Sequence, residues 1–249
     1  SELRFLIDAV LFSKGISGGQ AKDLIEKLKK QSSKYFEPKL THISYLPELH
    51  KVDNKQLMYV IGVIEDAIEN EKKISFIYND YDTDFKLRPR REKRYIMNPY
   101  QLIINNGRYY LLGNYDNYDN VAHCRVDRIT DIVISDEPRK PMKCVKGLEK
   151  GINLPKHMAE HMYLFGGEGS RILMKAKKSI FNDLVDWFGT DFSVLSEEKD
   201  GYTVSLCCSE DAMFLWAMQY NTNVEIIEPI SLREKIGERA REMAEKYGK

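Results

Sequence analysis

The side chains best suited to chemistry in this sequence are arginines and tyrosines that recur on neighbouring predicted strands. Arg108 and Tyr110 share a face of one predicted strand, and Arg125 shares a face of another strand with His123. Aromatic rings stack on bases and guanidinium groups bind phosphates, which is how small β-barrels hold single strands or nucleotides. This combination favours a binding site for a phosphate-bearing ligand that can stack on a ring.

Other kinds of chemistry have little support in the sequence. His123 and Asp127 share a strand face and could act as a base and its orienting carboxylate, but no nucleophile lies nearby. The sequence has no nucleophile elbow, Walker loop or dinucleotide fingerprint. His157 and His161 stand four residues apart, as two metal ligands can, yet no third ligand follows at motif spacing. We therefore predict no enzymatic activity, no metal and no cofactor.

The segment Lys86–Arg94, with the sequence KLRPRREKR, has six basic residues and one acidic residue in nine positions. One interpretation is a solvated edge strand whose charges discourage pairing with another sheet edge. The other is an anion-attracting rim that leads to the predicted ligand-binding face. Arg125 and Arg128 leave a similar alternative open. Each could instead form an ion pair with Asp127 or Asp131.

The elements that position these side chains centre on a hairpin with Asn106-Gly107 at its tip. Both residues tolerate a positive φ, as a type I′ turn requires, and a two-residue loop fixes the register of the strands. Asn105 should therefore pair with Arg108, and Leu102 with Leu111. One face, predicted to form the core, carries Leu102, Ile104, Tyr109 and Leu111. The other face is mixed and carries Gln101, Ile103, Asn105, Arg108, Tyr110 and Leu112.

Helices and then short strands are predicted before and around this hairpin. Apolar residues at helical spacing predict helices over residues 2–13, over residues 21–28 and from Asp53 onward. From Ile74 the period changes to two, and several short strands follow without an intervening helix, as in a small antiparallel barrel. Residues 1–33 lack the exposed polar and basic face behind a tight turn that a DNA-recognition helix needs.

The C-terminal part has a different pattern. From Arg171 the apolar residues predict the order β-α-β-β-α-β, which is the ferredoxin-like order, followed by a final helix after Pro229. Such a sandwich exposes one face of its sheet. We expect apolar residues on both faces of the strand Tyr202–Cys207, so that a partner covers the exposed face. A homodimer is the predicted assembly.

Composition excludes several classes of protein. Charged residues make up 31% and hydrophobic residues 43% of the 249 residues, as in a folded globular protein. The 38 basic and 38 acidic residues give a net charge of zero, so affinity for nucleic acid must come from local patches. No apolar run is long enough to cross a membrane, and no signal peptide is recognisable. Because the four cysteines are scattered, we predict no disulfide framework and expect a cytoplasmic protein.

An ordered set of short motifs resembles one known family. The motifs are the strand Ile74–Tyr78, Pro99-Tyr100-Gln101-Leu102, Tyr109-Tyr110-Leu111 after Asn-Gly, and Arg125-Val126-Asp127-Arg128-Ile129. Together they resemble the WYL domain of bacterial transcription regulators, which is named after a Trp-Tyr-Leu triplet. This chain departs from the triplet at the first position only. The C-terminal part resembles the extension that usually follows a WYL domain.

The resemblance implies both a fold and a function. It implies an Sm-like, SH3-like barrel that senses a ligand, with nucleic acid or a nucleotide-derived effector as the ligand class. It also implies that residues 1–33 are the helical connector that follows a winged helix-turn-helix in this family. The ligand-binding positions carried over by motif are Tyr78, Arg94, Tyr110, Arg125 and Arg128, and the strand faces add Arg108 and His123.

We therefore predict an α+β protein of three domains. These are a helical connector over residues 1–72, a WYL-like β-barrel over 73–140 and a ferredoxin-like extension over 141–249. The leading hypothesis is the ligand-sensing and dimerisation core of a transcription regulator, with DNA bound through a helix-turn-helix domain missing from this chain. Two alternatives remain: an assembly scaffold without a small ligand, and an enzyme of unknown reaction.

Overall fold

The computed structural model describes residues 2–30, 56–153 and 169–248. The chain divides into two compact units, Ser1–Pro141 and Met142–Lys249, each of which combines helices with an antiparallel sheet. The predicted α+β class is therefore confirmed, while the domain boundary predicted at residue 72 stays a prediction. Among the helices that the structure describes, none combines the length and the apolar character needed to cross a membrane.

Two helices begin the N-terminal unit and confirm the prediction from apolar spacing. They are α1 (Glu2–Phe12) and α2 (Gly18–Lys30). A reciprocal cap begins α2, because the Ser17 N–H donates to Gln20 Oε1 at 2.9 Å and the Gln20 N–H donates to Ser17 Oγ at 3.3 Å. The core shared by the two helices consists of Ile7, Leu11 and Ile25.

A third helix, α3 (Leu57–Glu69), packs against the sheet of the same unit. Its apolar side chains recur every three or four residues, so they form one stripe. The predicted helix start at Asp53 lies outside the described residues. The buried members of the stripe are Leu57, Val60, Ile61, Ile64 and Ala67.

The sheet of the N-terminal unit has six strands and curls into a half-barrel. Its order is β2-β1-β3-β4-β5, and β6 pairs with β1, so that β1 has three partners along its length. All of these pairings are antiparallel. The strands are β1 (Lys72–Tyr81), β2 (Leu87–Pro89), β3 (Tyr95–Asn105), β4 (Arg108–Tyr115), β5 (Ala122–Arg125) and β6 (Ile129–Pro138).

The hairpin of β3 and β4 has the register that its turn residues predict. Asn105 pairs with Arg108 and Leu102 with Leu111, and both turn residues have positive φ, 49° at Asn106 and 73° at Gly107. The buried Leu111 and the partly buried Leu102 and Tyr109 lie on the core face, as predicted.

One residue of the predicted core face is misassigned. Ile104 is 64% exposed, because it lies near the hairpin tip, beyond the reach of the neighbouring strands. The strand β5 pairs only with residues 110–113 of β4, and β1 pairs with β3 only at residues 95–97. On the mixed face, Ile103 and Leu112 are buried. Alternation therefore gave the faces correctly, but it did not give the burial along each face.

The hairpin tip contacts the loop between α1 and α2, and Gly107 is the residue that permits the contact. The Lys14 N–H donates to the Gly107 carbonyl at 3.0 Å. A Cβ on Gly107 would lie 3.3 Å from both Lys14 N and the Phe12 carbonyl oxygen. This hydrogen bond connects the hairpin tip to the α1–α2 loop at Gly107, the residue next to Arg108.

Gly107→Ala is expected to lower the free energy of unfolding by about 1–3 kcal/mol, the cost of a strained backbone conformation. The φ of 73° disfavours any side chain, and the new methyl group would also press on the α1–α2 loop. The matched control is Gly62→Ala on α3, where nothing lies within 4 Å of the new Cβ. The free energy of unfolding of that variant should be higher than that of the wild type by about 0.4–1 kcal/mol. Urea unfolding measures both, and equal changes would contradict the interpretation.

The C-terminal unit has the predicted order β-α-β-β-α-β followed by a helix. Its sheet order is β10-β7-β9-β8, with every pairing antiparallel. The two helices that lie between strands in this order contribute to one core with the sheet. The elements are β7 (Gly169–Lys177), α4 (Phe181–Phe188), β8 (Phe192–Glu197), β9 (Gly201–Ser209), α5 (Glu210–Tyr220), β10 (Val224–Glu228) and α6 (Ile230–Tyr247).

The strand β9 is apolar on one face only, which corrects the expectation for this strand. Val204 and Leu206 are buried in the core, and Tyr202 packs against it. Because successive side chains point to opposite faces, Thr203 and Ser205 lie on the other face. The open face of β9, which also carries the exposed Cys207, is therefore mainly polar and gives no support to a dimer formed through it.

Candidate ligand-binding site

A buried carboxylate organises one side of the N-terminal unit. Asp127 lies in a 3-10 turn, Val126–Arg128, between β5 and β6, and its side chain is 3% exposed. Its Oδ2 accepts hydrogen bonds from Arg108 Nη1 at 2.9 Å and from Arg125 Nη2 at 2.6 Å, and its Oδ1 accepts one from Arg125 Nε at 3.0 Å. Two guanidinium groups thus share one carboxylate. We call these three residues the Asp127 triad.

A second carboxylate is shared in the same way. Arg90 donates from Nε and Nη2 to Asp80 at 2.6 and 2.9 Å, and Arg128 donates from Nη1 to Asp80 Oδ1 at 3.1 Å. The hydrogen bonds from Arg90 hold the pKa of Asp80 below its usual value, so this carboxylate stays charged at neutral pH. We call these residues the Asp80 triad.

Tyr81 lies beside Arg128 of the Asp80 triad and interacts electrostatically with the Asp127 triad. Burial raises the pKa of Tyr81, and the negative charge of Asp127 raises it further. Arg125 and Arg128 act in the opposite direction, so the hydroxyl lies within electrostatic range of both triads. The Arg128 guanidinium is 5.7 Å from the centre of the Tyr81 ring, which remains partly exposed. This tyrosine can therefore contact a ligand that bridges the triads.

Tyr78 is buried beneath the arginines and supports them. Its hydroxyl accepts a hydrogen bond from the Arg125 backbone N–H at 3.2 Å, and the Arg90 guanidinium lies 5.0 Å from its ring centre. Burial raises the pKa of Tyr78 to about 12, so it remains a neutral phenol. This residue was predicted to bind ligand, and the structure places it behind the two arginines.

Tyr110 and His123 lie on the neighbouring strands β4 and β5. Tyr110 is directly opposite Arg125, and Leu112 is directly opposite His123. The Tyr110 and His123 side chains are both half-buried. Cross-strand partners on one face lie about 5 Å apart at Cβ, so Tyr110 can contact the Asp127 triad. The structure therefore brings these two predicted residues to the same side as Arg125.

Arg94 lies apart from the triads. It donates from Nε to Ser75 Oγ at 2.8 Å and from Nη2 to the Ser75 carbonyl at 2.9 Å, and it also binds Asp131. Ser75 alternates along β1 with the buried Ile74 and Phe76, so it faces the other way from Tyr78. Of the seven predicted residues, Arg94 is the one that the structure does not bring to this group.

Three residues of the triads region were not identified from the sequence: Asp80, Tyr81 and Arg90. Arg90 belongs to the basic segment Lys86–Arg94, for which an edge strand and an anion-attracting rim were alternative interpretations. The edge strand is observed, because Leu87–Pro89 forms β2 at the edge of the sheet. Arg90 follows β2 into the Asp80 triad, and the anion-attracting rim stays a prediction. Recognition of the β1–β2 hairpin in the sequence could have identified them. A hairpin that pairs Asp80 with Arg88 brings the next arginine, Arg90, close to Asp80.

The two triads contain four guanidinium groups and two carboxylates. Their net charge is therefore +2, in a chain whose net charge is zero. Among the described residues, the buried Nε of Arg128 has no hydrogen-bond partner. Such an arrangement can bind an anion. In the same part of the chain, no three His, Cys, Asp or Glu residues are grouped as metal ligands. His157 and His161, the pair considered for a metal, lie outside the described residues.

Comparison with known families fits this geometry. The family model of the WYL domain matches residues 59–134, which include both triads. The chain is a WYL-domain protein. The family model of the WCX domain matches residues 172–244, so a WYL domain is followed by a WCX domain. The resemblance inferred from the short motifs is thereby confirmed.

Solved structures give more distant similarities. Proteasome accessory factor B/C (PafBC) of Arthrobacter aurescens is 14% identical with a TM-score of 0.32, and the match covers 74% of this chain and 26% of that one. A CRISPR Cas-related protein is 13% identical with a TM-score of 0.48, and the match covers 76% and 51%. This WYL-domain chain thus spans about a quarter and about half of those proteins. No curated protein sequence matches it.

Proposed function

We propose that this WYL-domain protein is the ligand-sensing core of a transcription regulator, and that its ligand is single-stranded nucleic acid or a nucleotide. The observation that carries the proposal is the sharing of two carboxylates by four arginines beside Tyr81 and Tyr110. Guanidinium groups in excess of carboxylates attract phosphate, and tyrosine rings offer stacking surfaces to bases.

The carboxylates have a positioning role in this proposal. A guanidinium group that is held by a fixed acceptor loses less freedom when it binds a phosphate than a mobile one does. Burial lowers the pKa of Arg125, but the hydrogen bonds and charge of Asp127 outweigh it, and the net shift is upward. The cation therefore persists at every working pH. An ion pair with Asp127 and a role in ligand binding are compatible for Arg125.

A thermal-shift series tests the proposal. A ligand that binds only the folded protein stabilises it by about 2.7 kcal/mol when its concentration is a hundred times its Kd. We expect stabilisation by thymidine monophosphate or by a short single-stranded oligonucleotide, and none by thymidine, which lacks the phosphate. Equal stabilisation by thymidine, or none by any of the three, would contradict the proposal.

We also propose finer assignments for the two folds. The half-barrel of the N-terminal unit corresponds to an Sm-like, SH3-like barrel, and the C-terminal unit to a ferredoxin-like sandwich. The second assignment is supported by the strand order β10-β7-β9-β8, in which β9 is inserted between the two strands that α4 connects.

We further propose a homodimer. In α6 only Leu232 is buried, although apolar residues continue along the same stripe as Ile236, Ala240 and Met243. Together with α5 and β10 this stripe borders a cavity of about 400 Å³. Sedimentation equilibrium at about ten micromolar or above should show a dimer. Met243→Glu should yield monomers, whereas a wild-type monomer at these concentrations would contradict the proposal.

A further inference from the structure

An exposed aromatic ring projects from the edge of the candidate site. Phe85 is 86% exposed at the tip of the hairpin that joins β1 to β2. The last residue pairs of this hairpin are Asp80 with Arg88 and Tyr81 with Leu87. The tip is therefore a direct continuation of the strand that contributes Asp80 and Tyr81 to the site.

Hydrogen bonds hold the tip in one conformation. The Phe85 N–H donates to the Asp82 carbonyl at 2.9 Å, and the Asp82 N–H donates to the Lys86 carbonyl at 2.9 Å. The side chain of Asp84 accepts from the Lys86 N–H at 3.1 Å, and that of Asp82 accepts from the Thr83 N–H at 2.7 Å. The ring is thus presented by an ordered turn.

The backbone of Phe85 adopts a conformation that aromatic residues rarely have. Its φ is 61°, in the left-handed region that favours Gly, Asn or Asp. A bulky residue there costs folding free energy, and such costs are concentrated at functional positions. Neither the turn nor the core gains from a phenyl ring at this position, because the ring is almost wholly in solvent.

The Phe85 ring is surrounded by charged side chains that neutralise one another. Arg88 is bound to Asp82 at 2.8 Å and to Asp84 at 3.0 Å, so the arginine of this hairpin is neutralised locally. Phosphate binding therefore belongs to the two triads. The contribution available from Phe85 is stacking.

The distance from the triads to the tip corresponds to several nucleotides. One strand residue, Tyr81, and three turn residues separate Asp80 from Phe85, which places the tip roughly 10 Å farther along the strand direction. A stacked strand rises about 3.4 Å per nucleotide, so this length corresponds to about three nucleotides. A single nucleotide held at the triads could not also stack on Phe85.

We propose that Phe85 is a second stacking platform, and that the ligand is a single strand of about four or more nucleotides instead of a mononucleotide. This inference rests on the proposed function and narrows its ligand class. A strand bound with its phosphates at the triads extends along β1 and places a base on the Phe85 ring.

Fluorescence anisotropy with labelled oligothymidylates of two and eight nucleotides tests the inference. Phe85→Ala is expected to weaken binding of the eight-nucleotide strand by about 5- to 150-fold, the range for loss of one stacked base. Binding of the two-nucleotide strand and the salt dependence should remain those of the wild type, because no charge is lost. Phe85→Trp should restore the affinity.

Phe12→Ala is the matched control, because Phe12 is an exposed phenylalanine of the same unit that lies on α1. Two results would overturn the inference and leave the proposed function intact: an unchanged affinity of Phe85→Ala for the longer strand, or an equal loss for both strands. Failure of the wild type to bind either strand while it binds thymidine monophosphate would also overturn the inference alone. If the wild type bound none of the three ligands, the inference and the proposed function would both be overturned.

Discussion

Asp127→Ala is expected to lower the free energy of unfolding by about 3 kcal/mol, which is the low end of the cost of breaking a buried ion pair. The substitution removes the acceptor of three hydrogen bonds and leaves Arg108 and Arg125 without their carboxylate. The low end applies because these two arginine side chains are 18% and 22% exposed and can recover part of their hydration. Urea unfolding followed by circular dichroism measures the loss.

Glu137→Ala provides the control for this loss. Glu137 forms an ion pair with Lys73 at 2.8 Å in the same unit, but its side chain is 69% exposed. Exposed pairs contribute about 0–1 kcal/mol, so this variant should remain close to the wild type. If the two variants lost equal amounts, the Asp127 triad would have no special role in the fold.

Arg125→Ala is expected to weaken binding of a single strand by about 1.5–3 kcal/mol, the contribution of a hydrogen bond to a charged group. Tyr110→Ala should cost about 1–3 kcal/mol if the ring stacks on a base. The two residues face each other across β4 and β5. Anisotropy titrations with one labelled oligonucleotide measure both effects.

Two controls separate these effects from loss of charge and loss of fold. Arg4→Ala removes the same charge from α1, where Arg4 is bound to Asp8, and should leave the affinity unchanged. Tyr109→Phe should also be nearly silent, because this side chain packs against the core on the other face of the hairpin. A comparable loss in either control would contradict the assignment of Tyr110 and Arg125.

The sequence predicted those features that local rules determine. The register of the β3–β4 hairpin followed from two residues, Asn106 and Gly107, because a two-residue turn admits one register. The order of elements in the C-terminal unit followed from the change of apolar period along the chain. In β9 the same alternation, applied strictly, would have placed Thr203 and Ser205 on the polar face.

The candidate site was predictable in residue type and only in part in geometry. That one carboxylate serves two arginines was not predictable, because the 3-10 turn that places Asp127 has no periodic pattern in the sequence. The Asp80 triad joins residues from three segments, Asp80 on β1, Arg90 after β2 and Arg128 in the 3-10 turn, and no local pattern predicts that they meet. Arg94 is close to Arg90 in sequence, but it binds Ser75, whose side chain lies on the opposite face of β1 from Tyr78.

If the two triads bind the phosphates of a single strand, the affinity must depend on salt concentration. The net charge of two corresponds to about two phosphates, for which log K should fall with log salt with a slope of about −1.4. Affinity for a labelled oligothymidylate should then fall about sevenfold between 50 and 200 mM salt. In Arg125→Ala the affinity should be lower, and the slope of log K against log salt should be less steep. Binding that is insensitive to salt and to this substitution would show that the triads do not bind the phosphates.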